Sequence, residues 1–195
     1  MRTTALALTT LTIAAAANAD PITFIHTGSG SGVIGGLTFT DLDFTITAVG
    51  DTDDRVVLPN PATGWAIEHT AANIEIVGLG TFDFNIATRT FLNTDLNTVG
   101  FSRSEFGGLE GSDLYNGPMS NPVFDGWEML TSIGPIVDND FRIFQFFNGI
   151  ETSGGILDFT DEQFVDGTFE AIVVPAPTSF AMIGLAGLTA TRRQR

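Results

Sequence analysis

Along residues 42–49 the apolar side chains of Leu42, Phe44, Ile46 and Ala48 take every second place, with Asp43, Thr45, Thr47 and Val49 between them. A period of two sends alternate side chains to opposite faces of a pleated strand, whereas a helix would scatter the same residues around its axis. This stretch therefore commits its part of the chain to a sheet with one dry face and one wet face. Similar short runs recur at 22–27, 36–39, 55–58, 65–69, 73–77, 81–86, 89–92 and 99–101, then at 126–133, 141–147, 155–159 and 168–173. Gly, Asn, Asp and Pro punctuate them, and seventeen phenylalanines with many threonines suit pleated surfaces. About twelve short strands with turn signals between them predict an all-β, antiparallel β-sandwich or jelly-roll-like domain.

The connections carry their own signals. Gly28-Ser29-Gly30-Ser31-Gly32 reads as a hairpin end or a sheet edge, and neither a following Lys-Ser/Thr nor a helix-forming segment turns it into a phosphate loop. Residues 59–64, with two prolines, form a loop, and Asp138-Asn139-Asp140 sits where a hairpin turn belongs. Between 102 and 124 the alternation lapses amid four glycines and two prolines, which predicts a long surface excursion. Ser112 to Asn116 within it reads as one helical turn capped by Ser112.

The two ends differ in kind from the body. Met1-Arg2, a weakly apolar stretch from Ala5 to Ala17 and the small-residue site Ala17-Asn18-Ala19 form a secretory signal peptide, residues 1–19, to be cut by signal peptidase. At the other end Val174-Pro175-Ala176-Pro177-Thr178 is an extended hinge, because two prolines remove two backbone donors. An uncharged run follows at 179–191, then the basic end, residues 192–195, with Arg192, Arg193 and Arg195. Apolar segment followed by arginines is the order that halts translocation, although the run is shorter than the roughly 20 residues of a typical spanning helix.

Hinge, short membrane segment and arginine-rich terminus, in that order at the extreme C-terminus, resemble the Pro-Glu-Pro C-terminal sorting signal (PEP-CTERM) of exosortase substrates. The likeness covers Val174 to Arg195, with Ala176 standing where the family has its glutamate. It implies recognition by an exosortase-like membrane protease at Val174, Pro175, Ala176, Pro177, Arg192, Arg193 and Arg195. It also implies a protein anchored in the membrane before processing and then delivered to the bacterial cell surface or extracellular matrix.

Between the two addresses lie residues 20–173, enough for one domain with its own core. The chain has no cysteine, so disulfides and thiolate metal sites are excluded, and no lysine, which excludes Schiff-base chemistry. Arg55, Arg89, Arg103 and Arg142 face all 23 acidic residues of the chain, a formal charge of −19 on the body. Such a surface repels the phosphate backbone of nucleic acid and attracts divalent cations or basic partners.

Candidate ligand-binding aromatics are Trp65, Tyr115 and Trp127, rings of the kind that stack on sugars; Trp65 follows the proline-rich loop and Tyr115 lies in the excursion. Candidate calcium ligands are Asp51, Asp53 and Asp54, alternate carboxylates in a loop, although Val56 stands where an EF-hand needs glycine. A second acidic group comprises Asp158, Asp161, Glu162 and Asp166, and His26 with His69 would suit zinc or copper if the fold joined them. The expected function is a structural or adhesive component of the envelope or extracellular matrix, without a catalytic site. A carbohydrate-binding module that takes extracellular polysaccharide is the alternative, and a glycosidase-like hydrolase using paired carboxylates is the third reading.

Overall fold

The computed structural model describes residues 20–59, 61–104, 113–144, 149–160 and 163–175. The predicted signal peptide with Ala17 and Ala19, the membrane segment and the arginine end all lie outside the described residues, as do Ala176 and Pro177 of the hinge. Among the described residues no helix is long and apolar enough to cross a membrane.

The described residues form twelve strands: β1 (Pro21–Ile34), β2 (Leu37–Asp51), β3 (Val56–Val57), β4 (Gly64–Ile76), β5 (Gly80–Asp83), β6 (Thr88–Asn93), β7 (Thr98–Arg103), β8 (Asp113–Asn116), β9 (Ile133–Ile143), β10 (Ile150–Thr152), β11 (Gly155–Phe159) and β12 (Gln163–Val173). All pairings are antiparallel. Eight of the strands close on themselves in the order β1-β12-β9-β8-β7-β6-β4-β2 and back to β1. The sheet is thus a barrel, not the predicted two-sheet sandwich, and closure removes edges that a sandwich would leave open. The remaining strands are additions to the wall: β3 and β5 pair with β4, and β10 and β11 extend the sheet beside the far half of β1.

The alternation on β2 reads directly onto the barrel. Phe44, Ile46 and Ala48 are buried, while Asp43 is exposed and Thr45 and Thr47 are half-buried. Apolar inside and polar outside is the reverse of a barrel that spans lipid. Aromatic rings fill the lumen: Tyr115 stacks on Phe141 at 5.5 Å and meets Phe44 edge-on at 5.2 Å. Each such ring buries a large apolar area and adds about 0.5–1.5 kcal/mol through its ring contacts.

Several local expectations are corrected. The Gly28 to Gly32 stretch is neither hairpin end nor edge; it runs through the middle of β1. Glycine is required there because a Cβ at Gly28 would lie 2.6 Å from Tyr115 Oη, and one at Gly30 2.8 Å from the Ile143 side chain. Asp138 to Asp140 continue β9 across a bulge opposite Val165 and Gly167 of β12, so the chain does not turn there. The predicted helical turn near Asn116 is β8, a wall strand, because partners on β7 and β9 offer it a ladder. Residues 126–132, predicted as strand, form an irregular connection instead, with Met129 at a φ of 60°. The segment from Phe124 to Met129 lays Phe124, Trp127 and Met129 into the core, where Phe124 and Trp127 each pack against Phe169 at 5.9 Å.

Candidate functional site

The lumen holds both histidines. His26 is fully buried on β1 among Phe169 at 4.9 Å, Tyr115 at 6.2 Å and Phe101 at 6.3 Å, and neither of its ring nitrogens has a hydrogen-bond partner among the described residues. His69, half-buried on β4, stacks on Phe101 at 5.3 Å. Its Nδ1 bonds the Thr88 hydroxyl at 2.9 Å and its Nε2 the Thr90 hydroxyl at 3.0 Å. Loss of solvation pushes the pKa of His26 down to about 3, and burial followed by the neighbouring His26 does the same to His69. Both rings are therefore neutral at pH 7. Among the described residues no group of three His, Cys, Asp or Glu is placed to hold a metal ion, and the hydroxyls engaging His69 occupy both its nitrogens.

The aromatics chosen from the sequence do not form a binding surface. Tyr115 is fully buried and donates its hydroxyl to the Thr27 carbonyl at 2.6 Å, and burial raises its pKa. Trp127 is 7% exposed, with its indole N–H given to the Thr131 carbonyl at 2.9 Å. Trp65 is half-buried, and the Arg55 guanidinium lies 3.9 Å over its ring, fixed in turn by Glu128 at 3.0 Å. A sugar stacking on that face would have to displace a cation–π contact.

The acidic loop is likewise committed to the backbone. Asp51 accepts the Asp53 amide at 2.8 Å, capping the 3₁₀ turn Thr52–Asp54, so one of the three expected calcium ligands serves the turn itself. Of the second acidic group, Asp161 and Glu162 lie outside the described residues. Val174 and Pro175 of the hinge are exposed just beyond β12.

A broad, open depression on the outer wall takes in Asp166 of the second acidic group and otherwise lies where no sequence reading placed a site. β1 pairs with β12 as far as Thr27 opposite Thr168, then parts from it and takes up β11 from Gly32 opposite Phe159. In the fork between them opens a shallow groove of about 490 Å³ that crosses four strands. Thr27 and Ser29 of β1, Asp43 and Thr45 of β2, and Asp166 and Thr168 of β12 line it. Val137 of β9, 75% exposed, supplies an apolar flank. The Thr27 and Thr168 hydroxyls bond each other at 2.8 Å, and the Thr27 hydroxyl also accepts the Thr168 amide at 3.1 Å. Tyr115 seals the fork from inside, against Gly28 and Gly167. A second depression, beside Arg89, Phe91 and Asp113, measures only about 100 Å³, below the range of small-molecule sites. Besides Asp166, the sequence signal for the larger groove is the Gly-Ser alternation of β1, which puts small residues on both faces at the point where the wall divides.

No family model, no curated protein and no solved structure matches this chain.

Proposed function

We propose that this chain is an exported surface protein, carried by an N-terminal secretion signal and a C-terminal exosortase-type tail, whose barrel serves a structural or adhesive role at the cell surface or in the extracellular matrix. The observation that supports this reading is the seam of the barrel. Its first and last strands are neighbours: Ile22 pairs with Val173, and the Val174 amide donates to the Pro21 carbonyl at 3.0 Å. The described barrel therefore begins and ends at the same place, and its closing strands all lie within residues 21–173. Cutting after Ala19 and beyond Val174 leaves every ladder of the barrel intact, as a delivered cargo requires. The strongly acidic body, with four arginines against 23 acids, also favours a soluble exterior that neither coats nucleic acid nor adheres to anionic lipid.

The test follows the full chain in its host with antibodies against the body. The wild type is expected to become accessible to added protease on intact cells. Replacing Pro175 and Pro177 with alanine and the three terminal arginines with glutamine should hold it in the membrane fraction. Full-length chain found soluble in the cytosol with both ends uncut would overturn the proposal.

A further inference from the structure

We infer that the groove at the β1–β12 fork binds a neutral sugar residue through its vicinal hydroxyls. The argument starts from what faces the groove. Asp43 and Asp166 stand on opposite sides of it, and a carboxylate accepts hydrogen bonds through two oxygens without donating any. Between them the hydroxyls of Ser29, Thr45 and Thr168 each donate once and accept twice. Carboxylate acceptors flanking adaptable hydroxyls match a ligand that presents adjacent O–H groups. Val137, 75% exposed, offers apolar contact for the C–H face of a sugar ring.

The same lining excludes other ligands. Among the described residues no arginine lines the groove, and the chain has no lysine, so phosphate, sulfate and uronate groups would meet two carboxylates and no cation. An added peptide strand is excluded by the length of the gap. β12 leaves β1 at Thr27, β11 joins it at Gly32, and the Ser31 carbonyl already accepts the Thr160 amide at 3.0 Å. By strand alternation Ser29 alone directs its backbone amide and carbonyl into the fork, too little ladder to hold a strand. That one amide and carbonyl pair is instead a further fixed donor and acceptor for a hydroxylated ligand.

The inference gives the adhesive reading its ligand class and rests on that reading only for the setting. The assay uses purified full-length protein and is blind to where the cell sends it, so either proposal can fail alone. The protein is applied to an immobilised panel of neutral oligosaccharides (glucans, mannans, galactans and N-acetylglucosamine oligomers) and of anionic ones (alginate and heparin fragments). Retention on at least one neutral member and none of the anionic ones is expected. Asp43→Asn combined with Asp166→Asn should weaken that binding roughly tenfold or more, because each change removes a charged acceptor. Both positions are exposed, so the melting curve should not move. Val137→Glu, placing a charge on the apolar flank, should weaken it independently, and Trp65→Ala should leave it unchanged. Absence of binding to every neutral member, binding that the double variant retains in full, or binding lost with Trp65→Ala but kept in the groove variants would overturn the inference.

Discussion

Acidification from pH 7 to pH 5 should weaken this fold by about 2 kcal/mol through His26 alone, and by up to about 4 kcal/mol if His69 contributes equally. In the unfolded chain each imidazole titrates at its ordinary pKa of 6.5; in the barrel, burial holds both at about 3. Below pH 6.5 the unfolded state therefore binds protons that the folded state refuses, so stability falls as pH falls and continues falling toward pH 3. Each histidine costs about 1.36 kcal/mol per pH unit, and 1.5 units separate pH 6.5 from pH 5. His69 is the less enclosed ring, half-buried against the fully buried His26, so its share is the smaller. The measurement is urea unfolding at several pH values, followed by tryptophan fluorescence and circular dichroism. His26→Phe keeps a ring in the aromatic lumen and should abolish at least half of the pH-dependent loss. At pH 7 it should cost little, because the two ring nitrogens it removes have no described partner to lose. A stability that is flat between pH 7 and pH 5, or a decline of the same size in His26→Phe, would refute the reasoning.

Tyr115→Phe leaves the Thr27 carbonyl without its 2.6 Å partner at the base of the fork and should cost about 1–3 kcal/mol, read as a lowered urea midpoint. Gly100→Ala puts a Cβ against Asn116 Oδ1 and the Phe91 ring, and overpacking of that kind should cost about 1–3 kcal/mol and lower the thermal midpoint. Asp51→Ala removes the acceptor for the Asp53 amide and should cost about 0.5–2 kcal/mol, with the same loss in calcium and in EDTA. A calcium-dependent gain in melting temperature that vanishes in Asp51→Ala would show that the acidic loop binds the ion after all.

The inward row of β2 was legible because period two is a local property of consecutive residues, and Phe44, Ile46 and Ala48 obey it without help from the rest of the chain. Closure was not legible, since it depends on β12 lying beside β1 across 141 residues, a distance over which no local pattern speaks. Glycines misled for a related reason. In the Gly28 to Gly32 stretch they answer Tyr115, Ile143 and Phe39 inside the barrel, partners that sequence reasoning could not see, so the stretch resembled a turn. Asn and Asp at 138–140 likewise signalled a turn but occupy a bulge that keeps β9 running.

Site residues were harder still. Tyr115 and Trp127 were singled out by ring type, yet ring type does not say which way a wall strand points its side chains, and both rings point into the core. Asp43 and Asp166 belong to strands that face one another only across β1 once the barrel closes, so nothing in their local sequence pairs them.

β12 passes from the groove at Asp166 and Thr168 straight to Val174 and Pro175, where the chain leaves the body. A pull exerted between something held in the groove and an anchor beyond the hinge would run lengthwise along this one strand. It would load the hydrogen bonds to β1 and β9 together in shear, instead of peeling them open one at a time. A grip that includes the anchoring strand passes part of the tension straight along it, and a tethered domain built this way would meet that part of the force in shear.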